Sequence, residues 1–153
     1  MQEAINTFFF AAMPVGELRT ALPAGIIMYG LDWKLAFLLS IIGNLIPVAL
    51  LLLFLGPVSK WLSFRSKACN GFFSWIFKRT RKRTGSKIEK YGSLALVSFV
   101  AIPLPFTGAW TGAMAAFLFG IPFKKAFPLI SLGVAIAGII ILLLTQIGII
   151  WLI

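Results

Sequence analysis

Two uninterrupted apolar stretches constrain this chain most, because each is long enough to cross the hydrocarbon core of a lipid bilayer. They cover residues 33–55 and 126–152. A crossing helix needs about 20 apolar residues, since the core is about 30 Å thick and a helix rises about 1.5 Å per residue. With 60% hydrophobic residues, the composition is that of an integral membrane protein.

The remaining apolar segments are about half that length and form two pairs, each interrupted by a proline-containing break. The breaks are PVGELRT at 14–20 and PLPFTG at 103–108. Proline lacks an amide hydrogen and disfavours a helical turn before it, so helices tend to end at such points. Each pair is predicted to form a re-entrant hairpin, and a single kinked crossing helix is the alternative. Interrupted segments in corresponding positions of two halves favour re-entrance, because they mark the site of many transporters.

The two halves resemble each other when the sequence is shifted from Gly30 to Gly120, by 90 residues. The shift superposes YGLDWKLAF on FGIPFKKAF, and the register continues without a gap to Gly43 over Gly133. We interpret this as an internal repeat of a hairpin and a crossing helix. Each copy crosses the membrane once, so the second would be inserted upside down relative to the first. The predicted fold is therefore an all-α integral membrane protein with an inverted repeat.

This interpretation divides the chain into three segments. Residues 1–56 are the first repeat, residues 57–90 are a basic amphipathic linker, and residues 91–153 are the second repeat. In chain order, the first hairpin, first transmembrane helix, second hairpin and second transmembrane helix are predicted at 4–31, 33–55, 91–121 and 126–152.

The linker contains most of the 14 Lys and Arg residues of the chain. Such residues accumulate on the cytoplasmic side of membrane proteins, so the linker is predicted to be cytoplasmic, and the net charge of +10 requires no nucleic-acid partner. Aromatic residues at helical spacing between Trp61 and Trp75 predict a helix that lies in the headgroup plane. Unless they serve only to orient the chain, the side chains expected to contact lipid headgroups are Arg65, Lys78, Arg79, Arg81, Lys82 and Arg83.

The first break contains two charged residues, Glu17 and Arg19. A charge at the membrane centre costs about 2.5–3.5 kcal/mol on insertion scales, so it is retained where it is paired, hydrated or used. In an extended elbow the two side chains would project the same way. They would either form an ion pair that closes the turn or contact a translocated ligand, with Arg19 binding an anion and Glu17 accepting a proton.

The second break has no charge but offers a helix start at which a ligand could contact the backbone. Thr107 is the expected N-cap, and the glycines at 108 and 112 expose backbone amides near Thr111. Thr20 is expected to start a helix in the same way in the first break. Asn44 lies at a similar depth in the first transmembrane helix. Packing between helices is the alternative role for Thr111, Gly112 and Asn44.

The residues that most enzymes and metal sites use are missing from this sequence. It has no His, its one Cys (Cys69) lies in the linker, and no two carboxylates stand together. We therefore expect no catalytic residue, no metal and no cofactor.

Both breaks resemble a known family. GELRTALPAGI, AIPLPFTGAWTGAMAA and the preceding KIEKYG are similar to the small multidrug export family of prokaryotic membrane proteins. Phe106 departs from the glycine of its PLPGTG pattern. This family looks like a branch of the DedA-like (VTT) group, which carries paired re-entrant hairpins. The resemblance implies transport in a prokaryotic inner membrane, and the implied functional residues are Glu17, Arg19, Pro23, Pro103, Pro105, Thr107, Gly108, Trp110 and Thr111.

Three functions follow as hypotheses. The first is a translocase that moves an anionic lipid phosphate, in which Arg19 and the amides of the breaks bind the headgroup and Glu17 carries a proton. The second is proton-coupled export of cationic drugs, with Glu17 as the substrate carboxylate. The third is a membrane scaffold that does not transport. A homodimer would help to enclose a site between so few helices.

Labelling of single cysteines tests the re-entrant hairpins. With Cys69 replaced by serine, a cysteine at Thr20 should react with an impermeant reagent from outside, and one at Thr107 from the cytoplasm. Access of either position from the opposite side would indicate a helix that crosses the membrane without turning back.

Overall fold

The structure is a computed structural model that describes residues 1–65, 71, 87–102 and 108–152. These residues are predominantly helical, which confirms the predicted all-α class. The helices are α1 (Gln2–Ala12), α2 (Glu17–Ile27), α3 (Trp33–Arg65), α4 (Lys87–Ala101), α5 (Ala109–Leu118) and α6 (Phe123–Leu152).

Helices α3 and α6 are long and apolar enough to cross a membrane, over Trp33–Val58 and Phe123–Gly148. Only 22% and 28% of their most apolar windows are buried inside the protein. A core helix of a soluble protein would bury most of such a surface. Outward-facing side chains such as Leu53 and Ile139, each more than half exposed, therefore suit contact with lipid.

Both long helices extend beyond their predicted bounds. Helix α6 begins at Phe123, and α3 continues past Gly56 and Pro57 to Arg65. A proline removes one backbone hydrogen bond, but a chain in an apolar medium still satisfies its other amides best as a helix. The start of the predicted linker is therefore part of α3, and its end from Lys87 is part of α4. The side chain of Arg65 lies outside the described residues, as do Lys78, Arg79, Arg81, Lys82 and Arg83.

The first break is shorter than the sequence predicts. Only residues 13–16 separate α1 from α2, so Glu17, Arg19 and Thr20 lie in the first turn of α2, with Pro23 inside the helix. The prediction of an extended elbow followed by a helix start at Thr20 is wrong. Helical bonding begins earlier, because the amide of Glu17 already donates to the Met13 carbonyl (2.9 Å) and that of Thr20 to the Gly16 carbonyl (3.4 Å).

The six helices of the described residues pack as two groups of three with the same pattern of neighbours. Helices α1, α2 and α3 pack against one another, and so do α4, α5 and α6. The groups meet where α3 packs against α5 and α6, and where α2 packs against α6. Exchanging α1, α2 and α3 for α4, α5 and α6 leaves this pattern unchanged, as expected for a repeat.

Residues related by the 90-residue shift also have matching environments. Gly30 and Gly120 precede the two long helices in left-handed conformations, with φ of 62° and 69°. On the long helices, Gly43 and Gly133 each face the first short helix of their own group. A Cβ on Gly43 would lie 2.5 Å from the Phe8 carbonyl oxygen, and one on Gly133 would lie 2.7 Å from Cβ of Val100. Both glycines thus allow close helix packing.

These contacts predict that Gly43→Ala and Gly133→Ala each destabilise the protein. The added methyl groups would push against backbone or a β-branched side chain, which typically costs about 1–3 kcal/mol. Thermal unfolding in detergent would measure this, with Gly148→Ala as the control, because a Cβ there has no neighbour within 4 Å. Equal stability of all three variants would contradict the close packing.

Candidate functional site

A small cleft where the two groups of helices meet contains three of the predicted polar residues: Glu17, Arg19 and Asn44. Much of its remaining wall is apolar, formed by Leu18, Val100, Ala109, Val134 and Ala137. The space within the cleft is about 10 Å³, which is about what one water molecule needs. In this state the cleft therefore has no room for a drug-sized ligand.

Glu17 joins the two groups of helices through the start of α5. Its Oε1 accepts a hydrogen bond from the backbone amide of Trp110 at 3.4 Å. The N-cap of α5 is Gly108, which has no side chain to bond the free amides of the first turn. Its missing Cβ also makes room for the carboxylate, because a Cβ would lie 2.6 Å from Oε1 of Glu17. Glu17 therefore caps a helix of the other group, where the positive end of the helix dipole stabilises a negative charge.

Arg19 makes the complementary contact at the end of α4. Its Nη2 donates a hydrogen bond to the carbonyl oxygen of Ile102 at 3.2 Å. Ile102 directly follows α4, whose last carbonyl groups carry the negative end of the helix dipole. The positive guanidinium stabilises this negative end, just as a negative carboxylate stabilises the positive start of a helix.

Glu17 and Arg19 thus contact the two backbone ends that flank the second break. The sequence suggests either an ion pair between them or exposure of both to a ligand. In the structure, the first turn of α2 meets the other group of helices, and Glu17, Leu18 and Arg19 all line the cleft. The arrangement connects the first turn of α2 to the end of α4 and to the start of α5.

The backbone of Glu17 is in the left-handed region, with φ of 47°. This conformation costs a residue with a Cβ roughly 1–2 kcal/mol and is normally taken by glycine. Residues keep such conformations where surrounding contacts hold them, often at functional sites. No feature of the sequence indicated this strain, because the glycine of the turn is Gly16 rather than residue 17.

Asn44 is the third polar residue of the cleft, and it is 3% exposed. Its Oδ1 is fully buried and has no hydrogen-bond partner among the residues that the structure describes. The sequence left open a packing role for Asn44, in which its side chain would form a hydrogen bond or a close fit between helices. Its Oδ1 forms no such hydrogen bond with the described residues.

The other predicted site residues that the structure describes lie outside the cleft or contribute backbone only. Thr20 is exposed and its hydroxyl donates to the Gly16 carbonyl, while Pro23 lies inside α2. Thr111 donates to the Gly108 carbonyl at 3.2 Å. Gly112 packs against Val100, whose Cγ2 would be 2.5 Å from an added Cβ. Trp110 supplies its amide to Glu17. Pro103, Pro105 and Thr107 lie outside the described residues.

Val134 lines the cleft but was not among the predicted site residues, although the repeat contained the signal. It is the counterpart of Asn44 under the 90-residue shift, so the two positions come from equivalent turns of α3 and α6. Among the described residues, no group of three His, Cys, Asp or Glu side chains could hold a metal ion.

Comparison with known proteins gives one family. The model of the family described as "Putative small multi-drug export protein" matches residues 17–140, from the start of α2 into α6. No curated protein and no solved structure matches the chain. The family match and the two long apolar helices together indicate a membrane protein.

The conformation of Glu17 predicts an unusual order of stability for two variants. Both Glu17→Ala and Glu17→Gly lose the carboxylate, but only alanine keeps the left-handed strain. We expect the glycine variant to be more stable by about 1 kcal/mol, measured by thermal unfolding in detergent.

The same pair of substitutions at Thr20 is the control. Thr20 lies within α2, where glycine should be less stable than alanine by about 0.5–1 kcal/mol. If alanine is the more stable residue at both positions, Glu17 is not held in the left-handed conformation.

Proposed function

Because the chain belongs to the small multi-drug export family, we propose that it exports small cationic compounds across a prokaryotic inner membrane in exchange for protons. The observation that carries this proposal is the position of Glu17. It is a carboxylate that lines a largely apolar cleft between the two groups of helices and contacts a helix end across it. No metal or cofactor is needed for such an exchange.

The exchange depends on competition for one negative charge. The Glu17 carboxylate can accept hydrogen bonds from the start of α5, bind a proton or form an ion pair with a cationic cargo. In apolar surroundings each of these interactions is stronger than in water, and each weakens the others. Protonation or cargo binding would release Glu17 from α5 and loosen the contact between the two groups. This links occupancy of the cleft to its opening, as alternating access requires.

The same proposal includes the topology. We place α3 and α6 across the membrane and the pairs α1–α2 and α4–α5 as re-entrant hairpins from opposite sides. The common pattern of neighbours supports a repeat, and one crossing per copy would make it an inverted one. The basic residues between α3 and α4 are assigned to the cytoplasm, where they would contact anionic lipids. A second copy of the chain would help to shield the cleft.

Transport of an anionic lipid phosphate is the second candidate, and Arg19 is the observation that favours it. A guanidinium at the cleft is suited to a phosphate. However, the Trp110 amide at the start of α5 already donates to Glu17, and the Arg19 side chain donates to the Ile102 carbonyl. The cation hypothesis therefore fits the geometry better.

Uptake into proteoliposomes tests the proposal. With the full chain reconstituted, an imposed proton gradient should drive accumulation of tetraphenylphosphonium. Glu17→Gln should reduce the rate by about tenfold or more, because a neutral amide offers the cation no counter-charge in the cleft. Glu3→Gln is the matched control, since Glu3 is an exposed carboxylate that pairs with the N-terminal amine at 3.0 Å.

Three other outcomes would contradict this function. Gradient-driven uptake that survives Glu17→Gln would remove Glu17 from the mechanism. Transfer of a fluorescent anionic phospholipid between leaflets, lost mainly in Arg19→Ala, would favour the lipid hypothesis. If neither cargo moves and charge reversal in the basic linker alone changes the cellular phenotype, the protein acts as a scaffold.

A further inference from the structure

The strongest unexplained feature of the cleft is the side chain of Asn44. It is 3% exposed, yet its Oδ1 has no hydrogen-bond partner in the described parts of the chain. A buried acceptor without a donor is unfavourable, because it loses its bonds to water and gains none in return. A side chain with this cost is retained where something else supplies the donor.

The repeat shows that packing alone does not require a polar residue at this position. The counterpart of Asn44 is Val134, which is 1% exposed and lines the same cleft. Both residues occupy equivalent turns of their long helices, and both lie inside the fold. An apolar valine is thus accommodated at the equivalent position of α6. Only the α3 side of the cleft has a polar side chain there, the amide of Asn44.

The surroundings of Asn44 indicate which kind of ligand would supply the donor. Glu17, at the same cleft, is a carboxylate and so accepts hydrogen bonds when ionised. The walls around them include Leu18, Val100 and Ala137, which offer no side-chain donor, and Arg19, whose Nη2 donates to the Ile102 carbonyl. A cationic group with N–H bonds could form an ion pair with Glu17 and at the same time donate a hydrogen bond to the Oδ1 atom of Asn44. A quaternary cation could satisfy only the charge.

We propose that Asn44 determines specificity in this cleft by favouring cations that donate hydrogen bonds, such as guanidinium or protonated amine groups, over quaternary cations. This inference rests on the proposed function of Glu17 and narrows its substrate class. The space in the cleft is about 10 Å³, about what one water molecule needs, so the two groups of helices would have to separate to admit the charged head of a cargo.

Binding of two matched cations tests the preference without any mutation. Benzylguanidinium and benzyltrimethylammonium carry the same ring and a permanent charge at neutral pH, but only the first has N–H donors. Isothermal titration of the full chain in detergent should give a Kd about tenfold lower for benzylguanidinium, equivalent to about 1.4 kcal/mol. Equal affinities would overturn the inference.

Asn44→Val tests which residue creates the preference. The variant should lose about tenfold in affinity for benzylguanidinium and less than about twofold for benzyltrimethylammonium, since only the first loses a hydrogen bond. Thr145→Val is the control, because it removes a buried hydroxyl that bonds to the Ile141 carbonyl of α6 and does not line the cleft. An equal loss for both cations, or no loss for either, would contradict the role of Asn44.

Stability of the ligand-free variant separates a binding role from a structural one. If Asn44 serves the cargo, Asn44→Val should leave the Tm unchanged or raise it, because it removes an unsatisfied buried acceptor. A clear fall in Tm would show that Asn44 stabilises the fold. Asn44→Ala provides a second, smaller side chain for the binding measurement if the valine variant does not fold.

Glu17→Gln distinguishes failure of this inference from failure of its premise. Loss of binding of both cations in that variant supports the proposed role of Glu17, whatever the effect of Asn44→Val. Binding of both cations that is independent of Glu17 would contradict the proposed function, and with it the inference. If neither cation binds the unmodified chain, both proposals fail.

Discussion

The contact between the Glu17 carboxylate and the start of α5 is the interaction on which the rest of the arrangement depends. A short helix leaves its first amides without partners, and in an apolar medium no water replaces them. Helix α5 begins after Gly108, which has no side chain for this purpose. A carboxylate in the same medium needs donors as much as the helix needs an acceptor. The carboxylate and the helix start therefore stabilise each other, and this charged contact joins the two groups of helices.

Arg19 extends the same principle to the helix before the second break. Its hydrogen bond to Ile102 places a cation at the end of α4, while Glu17 places an anion at the start of α5. Two charges of one turn thus match the opposite dipole ends of two other helices. The left-handed backbone of Glu17 belongs to this arrangement, since its cost must be offset by the contacts that the residue makes. A change in the charge of Glu17 would therefore affect local strain and the contact between the groups together.

The sequence predicted the parts of the fold that follow from length and repetition. Apolar runs longer than the bilayer core predict α3 and α6, and the coincidence of Gly30 with Gly120 predicts two similar groups of helices. The start of α2 was not predicted, because Glu17 and Arg19 were assigned to the break at 14–20, whereas they form the first turn of the helix. The partners of Glu17 and Arg19 could not be predicted either, since Trp110 and Ile102 belong to the other repeat. The predicted depth of Asn44 in the membrane placed it near Glu17 and Arg19. It could not show that the Oδ1 atom lacks a hydrogen-bond donor.

The two groups of helices share their apolar framework and differ in their polar residues. Ala36 and Ala126 are both fully buried at equivalent positions, and Gly43 and Gly133 allow equivalent close contacts. In the cleft, by contrast, Asn44 faces a site to which the second repeat contributes Val134. In the proposed inverted repeat, exchanging the arrangements of the two groups of helices would give a second conformation of similar energy. Polar groups confined to one repeat cannot be equivalent in those two conformations. Binding a proton or a cation at Glu17 would then shift the balance between them, because a ligand shifts a conformational equilibrium only through a difference in affinity.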